Sequence, residues 1–365
     1  MLLLDTATRR GARPARRAVC LAALGMLLLP RGAAAHERWF VQGGAQPVRI
    51  GDILSGTTAL ALVTMGAVVL LAWLAARLVA TRRGLLPFNR LGIASLAHLY
   101  AWLPPVLAIH AAVPLIVNGV SLRLFAPNLA LPWTLAGGVL ALAEIVVALS
   151  FLYGAFTRAA AIVLALIGLV GMLFFSPWLV LEHCDLLGIA AFLYCTGRGP
   201  YSVDALIGRA GRPNLRLLPY AVPALRVLTG FAIVVLGFTE KLWNRDLALA
   251  FLRTYPFNVT QSLPITLSDA QFVVAAGLVE VSIGALIMSG LWTRPVILLT
   301  WLPFNLTLPF LGWVELVGHL PTYGTMVVLL LWGAGQDLTP YIRAVERAEA
   351  RLDEAAEREP ARDAA

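Results

Sequence analysis

The sequence contains almost no lysine and little charge of either sign. Lys241 is the only lysine in 365 residues, and 13% of the chain is charged whereas 59% is hydrophobic. Soluble domains carry roughly 25% charged residues, so this composition excludes an ordinary soluble protein. The net charge of +8 rests on arginine. Because the arginines lie mainly between apolar segments, we interpret them as determinants of membrane orientation and predict no nucleic-acid partner.

Cysteine is equally scarce. Of the three cysteines, Cys20 falls in the predicted leader, while Cys184 and Cys195 are eleven residues apart on one apolar segment. That spacing is about 16 Å along a helix, which is too far for a disulfide. The chain also lacks a C-x-x-C-H haem motif, a G-x-G-x-x-G motif and a P-loop. We therefore expect neither thiol redox chemistry within one chain nor a resident redox cofactor.

Residues 1–35 have the pattern of a secretory signal peptide. Five arginines precede a thirteen-residue apolar core, and a small-residue motif ends at Ala35. The core is too short to span a membrane comfortably. Cleavage would leave His36 at the mature N-terminus, outside the cytoplasm, in the string HERWF. An uncleaved anchor is the alternative.

Long apolar runs fill the rest of the chain. Most have the roughly 20 residues needed to cross a bilayer. We predict an all-α polytopic membrane protein with nine transmembrane helices after signal removal, namely one leader helix and two blocks of four. The runs lie at approximately 55–79, 93–117, 131–153, 159–181, 185–197, 219–241, 270–292, 295–313 and 316–334. The predicted divisions are a leader segment at 36–84, a first block at 85–198, a linker at 199–217, a second block at 218–336 and a tail helix at 337–365.

Polar residues repeat along the chain at an offset of 136 residues, while the apolar background between them mostly differs. Such an offset is typical of an internal duplication. Because each block has an even number of spans, both blocks would start on the same side of the membrane. They would then be parallel repeats related by an axis along the membrane normal. The matching pairs are Arg90 and Arg226, Glu144 and Glu280, Gly154 and Gly290, Thr157 and Thr293, Arg158 and Arg294, Phe174 and Phe310, His183 and His319, and Gly188 and Gly324.

The arginine distribution predicts orientation in a bacterial-type inner membrane. With His36 outside, the connections rich in arginine fall in the cytoplasm together with the C-terminal tail, as the positive-inside rule requires. These connections contain Arg82, Arg83, Arg90, Arg158, Arg198, Arg209, Arg212, Arg216 and Arg294.

Two carboxylates near the middle of predicted spans, Glu144 and Glu280, are the first candidate catalytic residues. A carboxylate at this depth costs roughly 2.5–3.5 kcal/mol on insertion scales, so each should face the bundle interior or carry a proton. They could relay protons or bind a polar headgroup. The alternative is that they lock helices together by pairing with arginines.

His183 and His319, at the predicted external edge, are the second pair of candidate catalytic residues. Acidic residues surround both, and histidine can bind metals or donate to quinone oxygens. They would converge at the interface between the blocks, or else be helix ends satisfied by water and backbone. Glu240 and Lys241 are candidate cofactor-binding residues, with an ion pair or an interfacial anchor as the alternative.

Two further histidines are candidate metal ligands. His36 would offer an α-amine and an imidazole together, a combination that suits copper. His110 would lie on the same side of the membrane. The alternative is that neither binds metal, since no H-x-H or methionine cluster accompanies them.

Several strings resemble the DoxX-like membrane proteins. HERWF is also similar to the H-x-K-W-F opening of longer members, and the resemblance covers roughly residues 90–335. The first block matches only in its second half, with Pro104 and Pro105 at the offset of Glu240 and Lys241. The resemblance implies a four-helix membrane unit associated with quinone-linked or oxidative-stress redox systems, including thiosulfate oxidation. It rests on Arg226, Gly237 and Lys241 in GFTEK, Glu280, Gly290, Thr293, Arg294, Gly318, His319 and Gly324.

Three functional hypotheses follow. The first is a redox-associated membrane subunit that binds quinone between the blocks and depends on a partner protein for electrons. The second is a small-solute transporter, which parallel repeats and midplane carboxylates would also suit. The third is a non-catalytic assembly scaffold. The sequence leaves open whether the protein has any catalytic activity.

Overall fold

The computed structural model describes residues 37–41, 48–81, 97–207, 212–336 and 338–363. The predicted signal peptide, His36 and Arg90 lie outside these residues. Within them the chain is all-helical and contains no strand. The longer helices are α1 (Gly56–Thr81), α2 (Leu103–Val120), α3 (Leu135–Tyr153), α4 (Thr157–Gly171), α5 (Cys184–Thr196), α6 (Leu218–Leu236), α7 (Asp269–Ser289), α8 (Thr293–Leu306), α9 (Leu308–Trp332) and α10 (Thr339–Asp363). The shorter helices are Glu37–Phe40, Ile50–Ile53, Pro177–Leu181, Val203–Leu206 and Arg245–Thr254, with 3₁₀ turns at Ala97–Trp102 and Val259–Ser262.

Within the described residues, six helices are long and apolar enough to cross a membrane, which indicates a membrane protein. These six spans contain α1, α2, α3, α6, α7 and α9. The other three helices of the predicted blocks, α4, α5 and α8, have 15, 13 and 14 residues.

Several predicted runs are interrupted where proline or glycine breaks the helix. The run at 159–181 divides at a turn before Pro177, which starts the next short helix. The run at 295–313 ends at Leu306, and α9 is kinked at Gly312, whose φ is 67°. The helices therefore end earlier than the apolar runs predict. Proline and glycine break a helix without lowering the hydropathy of the segment, so hydropathy alone does not locate these ends.

The helices of the two blocks pack in a ring that is also bridged internally by contacts of α2 with α5, α6 with α9 and α5 with α9. Within each block, helices that follow each other in the chain are neighbours: α2, α3, α4 and α5 in the first, and α6, α7, α8 and α9 in the second. Between the blocks, α5 packs on α6 and α9 packs on α2. The leader helix α1 lies outside the ring against α7.

The turn after the second helix has the same backbone in both blocks. Gly154 ends α3 with φ 68°, and Gly290 ends α7 with φ 73°. Two residues later, Phe156 and Trp292 have φ values of 54° and 53°. L-residues rarely adopt this left-handed region, so its recurrence at a 136-residue offset is a specific structural match.

The arginine after each turn also has the same hydrogen bond. The Arg158 Nε donates to the Tyr194 carbonyl at 3.0 Å, and the Arg294 Nε donates to the Leu330 carbonyl at 3.0 Å. Tyr194 and Leu330 are themselves 136 residues apart. These arginines tie the start of the third helix to the end of the fourth.

The first helix of each block follows a different offset. A Cβ at Gly119 would lie 3.1 Å from the Ala141 carbonyl oxygen, and one at Gly237 would lie 3.3 Å from the Gly277 carbonyl oxygen. Gly119 and Gly237 are 118 residues apart, whereas Ala141 and Gly277 are 136 apart. The first block therefore has a glycine at this close approach. The alignment of Pro104 and Pro105 with Glu240 and Lys241 stays a prediction, but the contacts of Gly119 and Gly237 favour an offset of 118 residues for the first helix. The loop after that helix is longer in the second block.

The same shorter offset appears at the packing between blocks. A Cβ at Gly188 would lie 3.1 Å from Leu228 Cβ, and one at Gly324 would lie 2.9 Å from His110 Cβ. His110 thus occupies the packing position against Gly324 that Leu228 has against Gly188. By the 118-residue offset, Arg123 is the first-block position corresponding to Lys241.

Candidate functional site

The last turn of the α6 span widens into a π-helix, Gly237–Leu242, which contains the motif GFTEK. Extra-wide turns of this kind occur frequently at functional sites. All six residues are buried, with Glu240 1% and Lys241 4% exposed. Glu240 contacts the N-terminal segment, whereas Lys241 also reaches α7.

Lys241 joins two carboxylates from distant parts of the chain. Its Nζ lies 2.9 Å from Glu280 Oε1 in α7 and 3.4 Å from Glu37 Oε1. The predicted candidates Lys241 and Glu280 are therefore direct partners. The approach is close because Gly277 and Gly237 leave no side chain between the helices.

Arg38 connects the two blocks. Its Nε lies 3.3 Å from Glu182 Oε1 and 3.8 Å from Glu240 Oε1. The backbone N–H of Glu37 donates to Glu240 Oε2 at 2.9 Å. The short helix Glu37–Phe40 therefore adds an acid, a base and a backbone donor to the site. We call the six residues Glu37, Arg38, Glu182, Glu240, Lys241 and Glu280 the charge cluster.

The charge cluster contains four acids and two bases, all largely buried. Buried charge without a partner is costly, so burial favours the neutral form of a carboxyl group. Burial raises the pKa of Glu37 to about 8, although the neighbouring Lys241 acts in the opposite sense. The two bases of the cluster, Arg38 and Lys241, offset part of the cost of burying its acids.

Glu144 lies apart from the charge cluster and has a different task. Its Oε1 accepts the backbone N–H of Phe125 at 3.0 Å, and Asn118 Nδ2 donates to the Phe125 carbonyl at 2.8 Å. Phe125 has φ 62°, a strained conformation for a bulky residue, of order 1–3 kcal/mol. Glu144 is thus a positioning residue that helps to hold Phe125 in place. The structure does not bring Glu144 and Glu280 together.

The two predicted histidines have different surroundings. His183 is buried beside Phe125, with ring centroids 6.4 Å apart. His319 Nδ1 lies 3.4 Å from Glu315 Oε1. The His319 ring packs against Trp39, with centroids 5.5 Å apart.

Three cavities adjoin these residues. The mouth cavity, about 780 Å³, is lined by Arg38, Trp39, Asn118, Arg123, Trp313 and Gly318 among others. The polar chamber, about 40 Å³, is lined by Trp39, Glu182, His183, Asp185, Thr229 and Gly318 among others. The apolar pocket, about 160 Å³, is lined by Phe125, Leu164, Gly168, His183, Leu186 and Leu187 among others. His183 lines both the chamber and the pocket, whereas His319 lines none of the three.

The structure offers no support for a metal centre within the residues that it describes. Among them, no group of three or more His, Cys, Asp or Glu side chains is placed to hold a metal ion. His110 Nδ1 lies 2.7 Å from the carbonyl oxygen of Val106 in its own helix.

Sequence reasoning missed Arg38, Phe125 and the pairing role of Glu37. The available signal was the presence of adjacent opposite charges in a short segment before the leader helix, where a mere spacer would not need them. Phe125 carried no signal, because its importance comes from a backbone conformation.

The matched turns, the ring and the buried charge cluster are the features on which any assignment must rest. Comparison with protein-family models, curated proteins and solved structures found no match to this chain.

Proposed function

We propose that the chain is a duplicated DoxX-like membrane protein with nine spans. The ring of helix contacts, the matched turns and the exchanged glycine contacts between blocks support the duplication. At 1.5 Å per residue, α4 and α5 are only about 20–22 Å long, shorter than the roughly 30 Å hydrocarbon core. The connection that carries Glu182 and His183 would then lie at membrane depth. Irregular backbone is tolerated there only when it is buried in protein or lines a cavity.

We further propose a redox-associated function, in which the protein holds a quinone headgroup at His183 and supplies protons from the charge cluster. One observation carries this proposal: His183 stands between a polar chamber containing Glu182 and an apolar pocket beside α4. A neutral imidazole can donate a hydrogen bond to a carbonyl oxygen. The pocket is smaller than the about 300–1,000 Å³ of drug-sized sites, so it suits one ring rather than a whole lipid.

The residues of the chain would bind, orient and protonate. When bound, a quinone takes up two electrons and two protons to give the quinol. The electrons must come from a partner donor protein, since the sequence has no motif for a flavin, haem or dithiol centre. Glu182 lines the chamber with His183 and would pass protons toward the bound headgroup. Glu144 accepts the backbone N–H of Phe125, which lines the apolar pocket.

The test is to purify the protein in mild detergent and measure bound quinone by mass spectrometry. We expect near-stoichiometric quinone in the wild type and at least tenfold less in His183→Ala. His110→Ala is the matched control, because His110 lines none of the three cavities. Absence of quinone from the wild type, or equal retention in His183→Ala, would refute the proposal.

A transporter is the second candidate. It is favoured by the kink at Gly312 in α9 and the interruption between α4 and Pro177, since broken helices form transporter sites. Uptake of a solute by proteoliposomes, unaffected by His183→Ala, would favour this candidate over the redox function.

A further inference from the structure

Trp39 and Gly318 form a wall shared by the mouth cavity and the polar chamber, since both residues line both spaces. The indole packs directly over Gly318, where any side chain would collide with its ring. The Arg38–Glu182 ion pair crosses the same wall, because Arg38 lines the mouth cavity and Glu182 lines the chamber.

The opposite side of the polar chamber has a comparable wall. Phe125, His183 and Leu186 line both the chamber and the apolar pocket. The three cavities therefore lie in series, with the Trp39 indole in the first wall and the Phe125, His183 and Leu186 side chains in the second. The N-terminal segment that carries Trp39 is held against the bundle by hydrogen bonds, ion pairs and ring packing.

The size and lining of the polar chamber determine what it can hold. Water needs a cavity of at least about 10–15 Å³ and two to four polar partners. The chamber, about 40 Å³, has room for a few waters and excludes larger solutes. Thr229 is 3% exposed and lines the chamber, and its hydroxyl has no hydrogen-bond partner among the described residues. Such a group is expected to bind water.

We infer that the polar chamber is a water site through which Glu182 exchanges protons with the mouth cavity, and that Trp39 is the gate between them. The inference rests on the proposed function in one respect only, namely that the protons are delivered to a quinone. Opening requires the indole to leave its place over Gly318. The closed gate therefore requires glycine at position 318, because a Cβ there would collide with the Trp39 ring.

Chemical access to the chamber tests the gate without any redox assay. The parent protein carries Thr229→Cys as its single cysteine, because Cys20, Cys184 and Cys195 are each replaced by serine. It is placed in lipid nanodiscs. Modification by 2-aminoethyl methanethiosulfonate is followed by mass spectrometry. We expect the thiol to react at least tenfold faster in Trp39→Ala than with Trp39 present, and Trp39→Phe to give an intermediate rate.

Trp313→Ala is the matched control, because Trp313 lines the mouth cavity but not the chamber. It should leave the rate within twofold of the parent. Gly318→Ala provides a second route to the open state, since it displaces the indole while keeping it in the chain. Equal rates in the parent, Trp39→Phe and Gly318→Ala, each shown to be folded by its thermal transition, would overturn the gate. Absence of quinone from the wild-type protein, with the rates as expected, would refute the redox proposal and leave the gate intact.

Discussion

The two blocks share their turns but not their charges. Gly154 and Gly290 end equivalent helices in the same left-handed conformation. At the first-helix position, however, the second block buries Lys241 against Glu280, whereas the first block has the exposed Arg123. The features that repeat most closely are therefore scaffold, and the charge cluster is formed mainly by residues without a counterpart.

This difference separates two roles for the matched carboxylates. Glu280 pairs with Lys241 at 2.9 Å, while Glu144 accepts a backbone N–H at 3.0 Å. Duplication would have supplied two equivalent acids. Glu280 would have remained a charge partner, while Glu144 came to position the loop that contains Phe125. An asymmetric site inside a symmetric ring is the result.

The largest expected effect comes from removing the cation of the second block. Lys241→Met leaves Glu37 and Glu280 buried without their common partner. Breaking a buried ion pair on one side costs about 3–5 kcal/mol. Arg123→Met, at the corresponding position of the first block, should change stability by no more than about 0.5 kcal/mol, because its side chain is exposed. Unfolding in mixed micelles measures both changes.

Equal costs for Lys241→Met and Arg123→Met would show that the two positions are equivalent after all. The asymmetry of the site would then have no energetic basis. A small loss of unfolding free energy for both variants would mean that water reaches Lys241 and its partner carboxylates.

The membrane class and the scaffold could be predicted from the sequence because they depend on local pattern. Apolar runs indicate spans, and the residues paired by the offset of 136 include Gly154 and Gly290, which have similar φ values. The site could not be predicted in this way. Arg38 and Glu182 are far apart in the chain, and Phe125 depends on a strained backbone. One fixed offset also concealed the changed register of the first helix.

A double-mutant cycle should give the next largest contrast. Lys241→Met combined with Glu280→Gln is expected to show a coupling of about 1.5–3 kcal/mol, as for a hydrogen bond between charged groups. Arg123→Met combined with Glu144→Gln should show a coupling within about 0.5 kcal/mol of zero, since no ion pair joins those side chains in the described structure. The same unfolding assay provides both values. Matching couplings would mean that Glu144 and Glu280 still have the same task.

The smallest effects should come from the shared turns. Gly154→Ala and Gly290→Ala each place an L-residue at a left-handed φ, which costs roughly 1–2 kcal/mol. A Cβ at 154 would lie 2.5 Å from Ser202 Cβ, whereas one at 290 would lie 2.6 Å from the guanidinium nitrogen Nη1 of Arg226. A guanidinium can move aside more easily than a Cβ, so Gly154→Ala should be the more costly change. Gly138→Ala, in open space on α3, is the control and should cost nothing. A neutral result at only one of the two turns would mean that the blocks differ in their scaffold as well as in their charges.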